Sequence, residues 1–195
     1  MPYPIITISG TPGSGKSTVA QILAEKLKAS RIYVGAVRRE LAREKGMTLE
    51  ELNQYALTHP ETDVDIDQKI AQDAKETAQR NKVIVEGRTQ FYFLPESFKI
   101  YIKCDLNEGA KRIWQQMQNE AALKKRNEAM PKSLSELIKS IKERVVNDIK
   151  RYKKYYKLDH TDESHYDLVV DTTKLTAKQA ANLILKNIKT KSSIP

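Results

Sequence analysis

Eight residues near the amino end, Gly10-Thr11-Pro12-Gly13-Ser14-Gly15-Lys16-Ser17, fit the pattern G-x-x-x-x-G-K-[ST], with Thr18 following. The chemistry open to such a stretch is the grip of a polyphosphate. Its glycines let backbone N–H groups turn inward, and the dipole of a following helix favours negative charge. Lys16 adds a point charge, and the Ser17 hydroxyl is a ligand for Mg2+. Three of the chain's seven glycines fall within these eight positions, which chance explains poorly. A second group, Val83-Ile84-Val85-Glu86-Gly87-Arg88, sets an acid at the carboxyl end of an apolar run. Ligands of open α/β sheets bind at such ends. Glu86 is placed to hold the hydration shell of Mg2+ through water, and Arg88 to point a forked donor into the same crevice; an ordinary ion pair at a strand end is the competing account. Arg39, after another apolar run, reaches the same side or is a solvated helix residue.

More cations follow. Arg144 and Arg151 are seven residues apart in a helical pattern, so they share a face about two turns apart and can lean toward one anion. Arg112 on the preceding helical pattern and the cluster Lys124-Lys125-Arg126 inside the aperiodic stretch 119–132 complete the set of cations around that stretch. Any one of these fits a solvated face. Together they matter more, because the whole net charge of +9 lies in residues 99–157, where 16 Lys+Arg stand against 7 Asp+Glu. A segment that closes over phosphates accounts for that excess, and a grip on nucleic acid is the rival account. His59, His160 and His165 have no metal-ligand or triad spacing and read as structural.

The elements that must position these residues alternate. Ile5 to Ile8, Arg31 to Val34, Val83 to Val85, Ile100 to Ile102 and Leu168 to Val170 read as five short buried strands. Helical spacing predicts helices over Lys16 to Lys28 and Val37 to Lys45. Thr48 with Glu51, and Ser133 with Glu136, read as capping boxes. An acidic turn from Glu61 to Asp67 opens another helix, and Thr176 caps a last one from Ala177 to Lys189. This order predicts one α/β domain over 1–195, a parallel sheet with helices on both faces, with 119–132 as its mobile loop. With 39% apolar and 30% charged residues the composition is globular. No apolar run approaches the ~20 residues that span a bilayer. The first residues lack a basic region before their apolar stretch, and the single Cys104 excludes an internal disulfide framework. A cytoplasmic protein is expected.

A loop for phosphates leaves motor, switch and small-molecule kinase open. The rest of the chain resembles the cytidylate kinases, most closely their archaeal-type branch, among the nucleoside monophosphate kinases. The likeness rests on Ile6-Thr7-Ile8-Ser9-Gly10 with its loop, on Arg39-Glu40-Leu41-Ala42 through Glu44-Lys45-Gly46-Met47, and on His59-Pro60-Glu61 with Asp63 and Asp67. It continues through Glu86-Gly87-Arg88, Arg151-Tyr152-Lys153-Lys154-Tyr155-Tyr156 and Tyr166-Asp167-Leu168-Val169-Val170-Asp171-Thr172.

The resemblance implies a five-stranded parallel core, an acceptor-binding region over 36–80 and a lid over 116–132. It implies transfer of the γ-phosphoryl group of ATP, with Mg2+, to CMP or dCMP by a protein acting on free nucleotides, as a monomer and without membrane or nucleic acid. Arg39 and Arg88 then meet the acceptor phosphate, with Asp63 and Asp67 in the acceptor region. Arg112, Arg144 and Arg151 become lid-side cations, the last two touching the transferring group when the lid closes. Two departures stand out: Val34 replaces the small or hydroxyl residue expected before Gly35, and Gln115 and Gln116 stand where the lid's Arg-Glu pair is expected. A kinase of the same fold with another acceptor, and a nucleic-acid-binding or regulatory NTPase, are the alternative readings. The grouping of Tyr152, Tyr155 and Tyr156 on one helix suggests core packing rather than a platform for bases.

Overall fold

The computed structural model describes residues 3–191, the side chains of Lys125 and Lys191 excepted. The five apolar runs form β1 (Ile5–Gly10), β2 (Ser30–Tyr33), β3 (Val83–Glu86), β4 (Phe98–Lys103) and β5 (Leu168–Asp171). Between and after them lie α1 (Lys16–Leu27), α2 (Val34–Glu44), α3 (Leu49–Tyr55), α4 (Glu61–Ala78), α5 (Gln90–Phe93), α6 (Leu106–Met117), α7 (Glu120–Arg126), α8 (Leu134–Tyr156) and α9 (Ala177–Lys191). The strands make one sheet in the order β2-β3-β1-β4-β5, every neighbouring pair parallel.

Side chains alternate across a strand, and both faces of this sheet are covered. Ile6, Ile8 and Ile84 turn to one side and meet Val19 and Leu23 of α1 and Ile184 and Ile188 of α9. Ile5, Val83 and Val85 turn to the other and meet Ile70 and Ala74 of α4. Each fully buried Leu or Ile here contributes on the order of 1.5 to 3 kcal/mol. A smaller cluster, with Ile113 and Met117 of α6 against Leu137 and Ile141 of α8, carries the segment between those helices. At its other end α8 packs Tyr152 and Tyr156 against Phe91 and Leu158, so these tyrosines belong to the core.

Two local expectations are corrected. The stretch 119–132 is not all loop, since α7 occupies Glu120–Arg126, capped by the Asn119 side chain on the Ala122 N–H and ended by Asn127 with φ 53°. Two turns are too short for an apolar period to show, and capping rather than periodicity defines them. The box at Ser133 is one-sided: its hydroxyl accepts from the Glu136 N–H at 3.1 Å, but the Glu136 carboxylate accepts from the backbone of Lys132. The box at Thr48 and Glu51 is complete.

The loop after β1 is seated by backbone contact. A Cβ on Gly13 (φ 75°) would lie 2.2 Å from the carbonyl oxygen of Gly109 in α6, and one on Gly109 would lie 2.7 Å from that of Pro12. No side chain fits between the loop and the first turn of α6. Gly109→Ala therefore has to push the loop outward; it should cost about 1 to 3 kcal/mol in urea unfolding and weaken ATP binding in a direct titration, whereas unchanged ATP affinity would show that the loop keeps its shape without this contact.

Candidate active site

The loop Gly10–Ser17 leaves β1 beside the end of β3, because Ile8 is in register with Glu86. A cleft of about 1290 Å3 opens there, over the carboxyl ends of the strands. Pro12 through Thr18 line it, while Gly10 and Thr11 lie beneath. Thr11 anchors the loop: its N–H donates to the Ile102 carbonyl at 3.1 Å, its hydroxyl accepts from the Cys104 N–H at 3.1 Å, and its own carbonyl accepts from Ser14 Oγ at 2.8 Å. The loop's far side is held by Thr172 Oγ1, donating to the Ser14 carbonyl at 2.8 Å.

Glu86 is 1% exposed, accepts a hydrogen bond from the Ser17 hydroxyl, and is paired with Arg31 at 2.6 Å. A hydroxyl and a carboxylate side by side at a phosphate loop are the oxygen donors a hard cation takes. Among the described residues no group of three or more His, Cys, Asp or Glu could hold a metal ion.

Lys16 lines the cleft, and burial first and then Arg88 lower its pKa to about 8. Arg144 lines the same cleft and is also lowered, by burial and then by Arg88. Both shifts come first from burial and second from the crowding of like charge. Arg88 itself is held by Asp148 on α8. Burial disfavours the Arg88 charge, but Asp148 and Tyr152 together outweigh it and raise the pKa. Asp148 in turn falls to about 2, because Arg88 and Arg151 overcome its burial.

Arg39 lines the cleft and donates to Tyr33 Oη at 2.9 Å, to the Gly35 carbonyl at 2.8 Å and to the Arg126 carbonyl at 3.1 Å. Arg112 lies at the other end, its guanidinium fixed by Glu108 at 2.9 Å and by the carbonyls of Thr172 and Thr173 at 2.9 and 3.1 Å. Asp67 is buried among Thr89 Oγ1 at 2.7 Å, Gln90 Nε2 at 3.0 Å and Tyr156 Oη at 2.9 Å. Burial nevertheless wins over these donors and lifts it to about 6. Val34 also faces the cleft, packed over Gly87 and into the core cluster of α4.

Arg151 is the placement that overturns an expectation. It is 1% exposed and absent from the cleft wall, its guanidinium spanning Asp63 at 2.5 Å and Asp148 at 2.8 Å. The seven-residue spacing gave the right face of the helix, but α8 points that face into the core at Arg151 and into the cleft at Arg144. Asp63 does line the cleft, yet its two oxygens are taken by Arg38 and Arg151.

Sequence reasoning also missed Arg31, Arg38 and Asp148. A helical signal existed for Asp148, which stands four residues after Arg144 and three before Arg151. For Arg31 the hint was a cation inside a short strand beside Glu86's strand. Nothing in the sequence separated Arg38 from Arg39.

Comparison with known proteins agrees with this geometry. A family model described as an AAA domain matches residues 6–132. The cytidylate kinase of Methanocella arvoryzae is 39% identical over 184 residues, 94% of this chain and 96% of the relative. That of Methanocaldococcus jannaschii is 36% identical over 185 residues, covering 92% and 94%. A solved shikimate kinase from Acinetobacter baumannii in complex with shikimate superposes with a TM-score of 0.57 at 16% identity, over 98% of this chain and 96% of that one, which speaks for the fold. Among the described residues no helix is long and apolar enough to cross a membrane.

Two outcomes follow from the buried charges. Arg151→Ala takes the cation from one oxygen of each of two buried carboxylates, leaving Asp63 to Arg38 and Asp148 to Arg88, and should cost about 3 to 5 kcal/mol in denaturant unfolding; a variant of wild-type stability with lost turnover would return Arg151 to the reaction. For Asp67 the folded pKa lies above the unfolded one, so its ionisation opposes folding as pH rises from about 4 through about 6. Asp67→Asn should therefore gain on the wild type by up to ~3 kcal/mol between pH 4 and pH 7, and a pH-independent difference would show that Asp67 ionises normally.

Proposed function

The chain belongs to the cytidylate kinase family, and on that premise we propose that it moves the γ-phosphoryl group of ATP to CMP or dCMP, releasing ADP and CDP or dCDP. The observation that carries the reading is the meeting of Lys16, Arg88 and Arg144 on the walls of one cleft, between the phosphate loop and the helices α2 to α4. Those helices, but for the first two residues of α2, lie within 36–80, taken as the acceptor-binding region, and 116–132 is taken as the lid.

In this reading residues 10–18 wrap the donor phosphates and Arg112 stands toward the donor's base. Arg39 and Arg88 take the acceptor phosphate, above the buried Asp63 and Asp67. Ser17 directly, and Glu86 through water, would hold Mg2+, whose charge helps neutralise the phosphates. The attacking group is a phosphate oxygen already ionised near neutral pH, so no side chain has to remove a proton. What remains is positioning and neutralisation of the charge on the group in flight, which Lys16, Arg88 and Arg144 supply in a partly dehydrated cleft. The enzyme is read as a cytoplasmic monomer that needs no nucleic acid. Val34 lies on the cleft wall beside Gly87, so the preferred acceptor has to be measured.

ADP release with ATP and Mg2+ against a panel of nucleoside monophosphates and small hydroxyl acceptors tests the reading. CMP or dCMP should lead the panel in kcat/KM by about tenfold or more, and Lys16→Ala should lose at least ~100-fold in turnover while remaining folded. A panel in which no pyrimidine monophosphate raises ADP release above the rate with water would sink it.

A further inference from the structure

Two arginines of the cleft wall share one carboxylate, and that carboxylate is not on the cleft wall. Arg126, the last residue of α7, directs Nε and one terminal nitrogen at one oxygen of Glu128, at 3.0 and 2.8 Å. Arg144, from α8, gives a terminal nitrogen to the other oxygen at 3.1 Å. Arg126 and Arg144 line the main cleft, whereas Glu128 lines a separate groove behind α7 with Thr48, Leu123 and Lys124. The carboxylate therefore grips both guanidiniums from behind. Arg144 Nε is buried with no hydrogen-bond partner.

The local backbone explains how Glu128 gets there. Asn127 has φ 53° and closes α7, turning the chain so that Glu128 folds back on Arg126. That turn is fastened to the helices across the cleft. Asn127 Nδ2 donates to the Met47 carbonyl at 3.0 Å, the Leu49 N–H donates to the Asn127 carbonyl at 2.9 Å, and Arg39 Nε donates to the Arg126 carbonyl at 3.1 Å. Without a shared anion, two long cationic side chains beside Lys16 and Arg88 would repel one another and splay. With it they are ordered before any phosphate arrives.

We propose that Glu128 is a positioning residue for phosphoryl transfer, presenting Arg126 and Arg144 together to the group in flight, with Arg126 as the cation that the lid contributes. The assignment rests on the kinase reading above. It selects Arg126 over Lys124, which faces the rear groove; the side chain of Lys125 lies outside the described residues. Burial works against the Glu128 charge, but Arg144 and Arg126 outweigh it and keep the carboxyl below its usual range, so the clamp is ionised wherever the enzyme works.

The test is Glu128→Gln, which keeps the shape and removes the charge, measured alone and in an Arg126→Ala background. A residue acting through the arginines should lower kcat by about 10- to 100-fold while the directly titrated ATP dissociation constant moves less than about threefold. Its effect should shrink once Arg126 is gone and only Arg144 is left for it to hold, and Glu128→Asp should recover part of the loss. Unchanged kcat in Glu128→Gln, or an undiminished loss in the Arg126→Ala background, overturns the proposal. Binding of ADP with Mg2+ and aluminium fluoride, a mimic of the transferring group, gives a second readout. Glu128→Gln should weaken it by about tenfold and leave ADP alone unchanged, which also shows that the variant is folded; equal binding of the mimic overturns the proposal. A wild type inactive with every pyrimidine monophosphate would remove the kinase reading, and the aluminium fluoride comparison would still decide the role of Glu128.

Discussion

A site for two phosphorylated substrates has to hold like charges together before the substrates arrive, and much of this molecule follows from that constraint. Lys16, Arg88, Arg126 and Arg144 converge on one cleft. Burial, and after it their mutual repulsion, lowers the pKa values of Lys16 and Arg144. Three carboxylates make the convergence tolerable: Glu86 under Ser17 and Arg31, Asp148 between Arg88 and Arg151, and Glu128 between Arg126 and Arg144. Each fixes at least one guanidinium: Glu86 that of Arg31, Asp148 those of Arg88 and Arg151, Glu128 those of Arg126 and Arg144. Fixed charges of this kind need little reorganisation when a phosphoryl group moves past them.

The fold supplies the geometry with few parts. Parallel pairing of β1 with β3 sets the phosphate loop beside Glu86-Gly87-Arg88. Helix α8 then links three regions. Its first half packs on α6 and, at Arg144, reaches the residues after α7. Its middle gives Asp148 to Arg88, and its last turns put Arg151 against Asp63 of α4 and Tyr156 against Asp67. One helix thus ties the end of α7, Arg88 and α4 together. Arg151 is buried and paired within that frame, and a buried pair of this kind is costly to break from one side.

The strands were legible because a buried parallel strand is a plain β-branched run, and the loop at Gly10 was legible because its glycines answer to backbone geometry that other residues avoid. Glu86 and Arg88 were legible from their position after a strand. Arg151 was misjudged for a physical reason: helical spacing reports which residues share a face, not what that face meets, and only the packing of α8 on α4 decides between cleft and core. Helix α7 and Glu128 were hidden because a two-turn helix has no period and a left-handed turn at Asn127 is a tertiary choice. The charge excess in 99–157 was located correctly, but it divides. Arg112, Arg126 and Arg144 face the cleft, Arg151 is buried, and lysines such as Lys139 and Lys153 are exposed on α8.

The central claim is that these cations converge on a phosphoryl group passing between two nucleotides. A crystal structure with adenosine and cytidine joined through a chain of five phosphates tests it most directly. The account predicts the phosphates within hydrogen-bond distance of Lys16, Arg88, Arg126 and Arg144, with Arg151 still paired to Asp63 and Asp148. A phosphate chain that lies clear of Arg88 and Arg144, or that draws Arg151 out of the core, would contradict it.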